Sequence, residues 1–211
     1  APSSVRVVYS DASDTGFGGY MVEHGPCTAH GQWSSEEAAQ SSTWRELTAV
    51  YRVLNSMAAK LRDSRVRWFT DNQNVVRILQ VGSKKQHLQK VAVEVFALTL
   101  GNHIHLEPEW IPRELNQRAD YLSRIIDYDD WKLNPSVFHE IQLWWGPYTV
   151  DRFASCNNTQ PSRFNSRHWS PGTEAVDTFT THWGGENNWW CTQISLVPEE
   201  VRDGHLNTTK F

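Results

Sequence analysis

The nine residues Val5-Arg6-Val7-Val8-Tyr9-Ser10-Asp11-Ala12-Ser13 constrain this chain more than any other stretch. Their β-branched and aromatic run predicts a buried strand, bounded by the small polar residues and glycines after it. The strand ends by carrying a carboxylate, Asp11, near the core, where a charge is costly without a positive partner. Three later segments each offer another acid: Glu46 near the start of a helix, Asp71 at the end of a strand, and Asp120 in the first turn of a further helix. Four carboxylates on rigid elements predict a divalent-metal site at one sheet edge. Magnesium prefers oxygen ligands and keeps waters, which leaves room for phosphate oxygens. Two such ions about 4 Å apart support phosphodiester hydrolysis. Any one of these acids alone reads as an ordinary surface or helix N-terminal charge, so the reading rests on the set.

The rest of the chain supplies the scaffold. Phe17 to Val22 returns as a second strand after an Asp14-to-Gly19 turn, and Cys27 to Trp33 follows the Gly25-Pro26 turn as a third, edge-like strand. Ser34-Ser35-Glu36-Glu37 reads as polar loop. Trp44, Leu47, Val50, Tyr51, Leu54, Met57 and Leu61 recur at helical spacing. Arg65 to Thr70 reads as a fourth strand, Asn72 to Val81 and Gln86 to Leu100 as helices, His103 to Trp110 as a fifth strand, and Arg118 to Ile126 as a last helix. A helix crossover between strands favours an α/β fold, a five-stranded mixed sheet with its three antiparallel strands first.

At 211 residues there is room for one full domain, 1–126, and a smaller extension, 127–211. The net charge of −4 argues against a protein that coats nucleic acid nonspecifically. That charge is uneven: residues 1–126 carry 14 basic against 13 acidic side chains, and the remainder 6 against 11. With four acids neutralised by metal, the first part becomes distinctly basic. Cys27, Cys156 and Cys191 lack CxxC spacing, which fits a reducing, intracellular setting, cytoplasmic or nuclear, and disfavours zinc. The sequence contains neither a signal peptide nor a membrane-spanning run, so the two sequons, at Asn157 and Asn207, read as chance matches. The abrupt ends suggest a piece of a longer polypeptide.

Asp11-Ala12-Ser13, Arg45-Glu46-Leu47, Thr70-Asp71-Asn72 and Asn116-Gln117-Arg118-Ala119-Asp120 resemble the four motifs of the ribonuclease H fold, in the right order, over about residues 5 to 126. Gly31-Gln32-Trp33-Ser34, Trp44 to Val50, and Ala119-Asp120-Tyr121-Leu122-Ser123-Arg124 are more similar to the RNase H domain of retroelement reverse transcriptases, especially DIRS-like elements that encode a tyrosine recombinase. The resemblance implies Asp11, Glu46, Asp71 and Asp120 as ligands of two Mg2+ ions, with Mn2+ as substitute. It also implies endonucleolytic cleavage of RNA paired with DNA, and the rest of a reverse transcriptase polyprotein as a partner. One departure stands out. Ribonucleases H outside the retroelements place a histidine in the loop before the last aspartate, whereas here Arg113 or Glu114 occupies the comparable place; many retroelement enzymes similar to this chain also lack it, which implies slower turnover rather than lost chemistry.

Recognition of the hybrid would rest on ribose 2′-hydroxyls across a wide minor groove, with phosphate contacts adding affinity. The candidates are the backbone around Ser13, the side chains of Ser42, Thr43, Asn72, Gln73 and Asn74, and Arg113 and Asn116 in the last loop. Asn72 equally reads as a helix cap. Arg77, Lys84, Lys85 and Lys90 form a basic patch that reads either as a grip on the DNA strand or as a solvated helix face. His24, His30, His87, His103 and His105 have no ligand spacing, and the last two are expected on one side of a strand.

The extension holds seven of the eleven tryptophans and few periodic segments, so it reads as loop-rich with an aromatic core. Tyr148 to Ser155, Asn158, Arg163-Phe164, Ala175-Val176-Asp177 and Trp183 resemble the region after RNase H in these elements. More loosely they resemble phage-type adenine-N6 methyltransferases. Thr192 and Gln193 stand where that pattern needs two prolines, so the segment reads as a degenerate methyltransferase-like fragment and a structural tail. A domesticated module that binds nucleic acid or protein without cutting is the alternative to the nuclease. A 3′–5′ exonuclease of the same fold would need an acid where Ser13 stands.

Overall fold

The computed structural model describes residues 5–22, 27–126 and 132–191. The Gly25-Pro26 turn, His24, the acidic run from Asp127 to Asp130 with Trp131, and Thr192-Gln193 lie outside the described residues. The chain divides into two compact units, Ala1–Ile126 and Asp127–Phe211.

The first unit is built on one sheet. Strands β1 (Val5–Ala12), β2 (Gly16–Met21) and β3 (Cys27–Gln32) run antiparallel to one another in succession, while β4 (Arg65–Thr70) and β5 (His105–Trp110) continue from the other edge of β1 in parallel. The order β3-β2-β1-β4-β5 is the mixed, three-antiparallel-first sheet of the ribonuclease H-like fold. Helices α1 (Ser35–Ala38), α2 (Ser42–Leu61), α3 (Gln73–Val81), α4 (Gln86–Gly101) and α5 (Gln117–Ser123) flank it, with a 3-10 turn at Arg113–Leu115.

The apolar stripe of α2 explains the packing. Leu47, Val50, Val53, Leu54, Met57 and Leu61 are all buried, in one cluster with Val8, Val66 and Trp68 of the sheet and Leu88, Val91 and Val95 of α4. Each such side chain contributes about 1.5–3 kcal/mol of burial. Trp68 is fully enclosed, and its indole N–H is paired there, donating to Ser10 Oγ at 2.8 Å.

Three expectations need correction. Ser34 to Glu37 is not loop: Ser34 caps α1, Glu37 returns the bond to the Ser34 N–H, and the pair forms a capping box. β5 begins at His105, not His103. His103 sits in the preceding turn with φ of 52°, its ring beside Asp63, so the two histidines do not share a strand face. The last helix ends at Ser123 rather than Ile126.

In the second unit, α6 (Pro135–Trp145) starts from an Asn134 cap, and the remaining order comes from two-residue strands. β6 (Val150–Asp151) pairs with β9 (Asn188–Trp189), and β7 (Asn165–Ser166) with β8 (Ala175–Val176). Its interior is as polar as it is aromatic. Phe138, Phe164 and Trp183 are buried, and so is Arg152, whose guanidinium donates to Asn188 and Asn165 and lies over the Trp183 ring. Trp144 and Trp145 are exposed, so they do not belong to an aromatic core.

Candidate active site

Four elements deliver one carboxylate each. Asp11 is the penultimate residue of β1, in register with Gly18 of β2, and is buried. Glu46 follows one turn into α2 and is buried on the stripe side of the helix. Asp71 leaves the end of β4 directly before Asn72, the cap of α3. Asp120 lies in the first turn of α5. Oxygens of Asp11, Glu46 and Asp71 all lie within 4.8 Å of one another. Asp120 faces the same cleft of about 550 Å3 but stands outside that triplet.

Electrostatics divide the four in the same way. Burial, reinforced by the Asp71 charge, pushes Asp11 up to about 7, with a hydrogen bond from Ser123 pulling the other way. Burial, then Asp11 and Asp71, pushes Glu46 well above the usual carboxylate range. Asp71 is raised by burial, against the pull of Arg113. Asp120 is lowered, first by its hydrogen bonds from Arg124. Those bonds run from Arg124 Nε and Nη2 at 2.9–3.2 Å, with Arg113 Nη2 at 3.5 Å. Three crowded acids are therefore raised by burial despite the arginines near them, while the fourth is held down by two.

The residues present fit a divalent cation. Glu46 Oε2 is buried with no hydrogen-bond partner, an arrangement that costs free energy unless something positive takes it up. An all-carboxylate donor set suits a hard cation.

The other sequence candidates separate. Ser42, Asn72, Gln73, Asn74 and Arg113 line the cleft. Asn72 Oδ1 accepts from the Asn74 and Val75 N–H groups, so it is a helix cap whose amide NH2 is left for the cleft. Three do not line the cleft. Thr43, one helical step of about 100° from Ser42, is not among the lining residues. Ser13 is buried: its N–H donates to the Gly16 carbonyl, its carbonyl accepts from the Trp33 indole, and its hydroxyl donates to the Ser123 carbonyl. Asn116 is 1% exposed, with its amide donating to the Ser10 carbonyl at 3.0 Å. Both are bound into the scaffold. Of the basic patch, Lys84 and Lys90 line a second groove, and Arg77 and Lys85 do not.

Sequence reasoning missed Trp110. It lines the acid cleft, 45% exposed, with its indole N–H on the Asp71 carbonyl at 3.0 Å. The signal was there: a large aromatic closing a strand beside the one that delivers Asp71.

Residues 5–125 match the family model described as reverse transcriptase-like. Among solved structures, RNase H1 from Halobacterium salinarum NRC-1 is 20% identical over 56% of this chain and 94% of its own, with a TM-score of 0.48. The N-terminal RNase H domain of a Mycobacterium tuberculosis protein is 20% identical over 57% and 91%, at 0.47. An RNase H1 from a compost metagenome, solved in complex with an RNA/DNA hybrid, is 22% identical over 56% and 92%, at 0.45. No curated protein matches the chain significantly. Among the described residues no helix is long and apolar enough to cross a membrane. With the family model spanning more than half its length, the chain belongs to the reverse transcriptase-like family.

Proposed function

We propose that this chain is a divalent-metal-dependent ribonuclease H, an endonuclease that cuts the RNA strand of RNA/DNA hybrids and derives from a DIRS-like retroelement. The observation that carries the reading is the triplet of Asp11, Glu46 and Asp71, within 4.8 Å of one another beside an unpaired Glu46 oxygen. Asp11, Glu46 and Asp71 would hold one ion, and Asp120 with Asp11 a second. Bound there, the ions supply activation of the attacking water and charge stabilisation at the leaving oxygen. The chain's own groups do the rest. Ser42, Gln73, Asn74 and the Asn72 amide rim the cleft with hydrogen-bonding groups suited to ribose 2′-hydroxyls. Arg113, exposed and beside Asp120, carries a guanidinium suited to a phosphate. Its natural partners are the RNA/DNA hybrid and the remainder of a reverse transcriptase polyprotein, inside the cell, in cytoplasm or nucleus. The DIRS-like origin is supported by the strings around Trp33, Glu46 and Asp120.

One observation favours a second reading, a module that binds the hybrid without cutting: the paired arginines on Asp120. A substrate panel separates them. Incubated with Mg2+, an RNA/DNA hybrid is expected to be cut within its RNA strand, while duplex DNA and single-stranded RNA survive. Retention of the hybrid in a gel shift without cleavage in Mg2+ or Mn2+ would select the binding module.

A further inference from the structure

We propose that Ser123 is the positioning residue for Asp11, so that α5 sets two of the candidate ligands, Asp11 and Asp120, as one unit. The proposal rests on the metal-dependent reading above. Ser123 is 1% exposed, and its Oγ lies 3.0 Å from Asp11 Oδ2 and 2.7 Å from the Asp120 carbonyl. A hydroxyl has one proton, so these two acceptors share it, and the bond ties the Asp11 carboxylate to the helix turn that carries Asp120.

That turn cannot drift. The Ser123 carbonyl accepts from Ser13 Oγ at 2.7 Å, and at the other end of α5 the Asn116 amide donates to the Ser10 carbonyl at 3.0 Å. The helix and its Asn116 cap are thus fastened on both sides of Asp11, at Ser10 within β1 and at Ser13 just beyond the strand. Its close seat depends on Gly18, the cross-strand partner of Asp11: a Cβ there would lie 2.4 Å from Ser123 N. With one Asp11 oxygen held from behind, the plane of the carboxylate is fixed, and with it the direction of the oxygen offered to the cleft. Groups that orient ligands in this way typically change metal affinity about 10- to 100-fold when removed.

The test is Mn2+ binding to the full chain by isothermal titration calorimetry, with thermal melting in parallel. Ser123→Ala is expected to melt cooperatively yet bind Mn2+ at least about tenfold more weakly. Ser123→Cys, close in volume with a weak donor, is expected to reproduce that loss and serves if the alanine variant unfolds. Variants that bind Mn2+ within about twofold of the parent, while Asp71→Asn abolishes binding, would overturn the role of Ser123 alone. If Asp71→Asn also binds like the parent, the metal site itself is wrong, and the positioning role falls with it.

Discussion

Asp11 and Glu46 are acids in a place that disfavours their charge, and that sets how the metal-free protein responds to pH. Asp11 is held near 7 when folded against an ordinary value of 3.8, so between those values the folded state binds more protons than the unfolded one. Stability from this group is therefore fully present below about pH 4 and is lost as pH rises toward 7. Metal-free Asp11→Asn should match the parent near pH 4 and become progressively more stable than it by pH 7, as read by urea denaturation. A constant difference across that range would contradict the burial-driven shift. The same scale shows why some candidates were legible and others not. The carboxylates stand out because a charge at a strand end needs an explanation. Ser13 and Asn116 carry the right chemistry for substrate contact, and a one-dimensional reading does not say that the Ser13 N–H, carbonyl and hydroxyl are engaged with Gly16, Trp33 and Ser123, or that the Asn116 NH2 is engaged with Ser10.

Among the elements, α2 and β1 were readable because a long amphipathic stripe and a β-branched run have strong periods. α1 has four residues, none buried, and so no period at all; only its Ser34–Glu37 capping box marks it. α5 is similar: seven residues that, with the capping Asn116, are held by three side-chain bonds to Ser10, Asp11 and Ser13, and whose glycine seat becomes visible only in three dimensions. Gly18→Ala tests that seat. Its methyl group has no room against Ser123 N and the Leu122 backbone, so a loss of about 1–3 kcal/mol is expected in denaturant unfolding. No loss would mean that α5 is not closely docked. The groove lined by Lys84 and Lys90 makes a separate claim. Changing both to alanine should lower the slope of log affinity against log salt for a hybrid by about 1 per lysine. An unchanged slope would return these lysines to the solvated surface.

For the whole molecule, the mixed sheet was legible from the order of strands and crossovers, whereas the second unit was not, because two-residue strands and a buried Arg152 network leave no pattern to read. The core cluster of the first unit is drawn wholly from residues 8 to 106. A chain ending at Ile126 is therefore expected to melt cooperatively and to keep its activity, and failure to fold would show that the first unit depends on residues 127–211. The central claim is that the acids brought together by four separate elements cut the RNA of a hybrid. Its most direct test is cleavage of an end-labelled RNA/DNA hybrid in Mg2+, the parent beside Asp71→Asn. The expected result is internal cutting of the RNA strand by the parent and none by the variant, with both melting cooperatively. Equal cleavage by the two would contradict the site, and no cleavage by either, in Mg2+ or Mn2+, would contradict the activity.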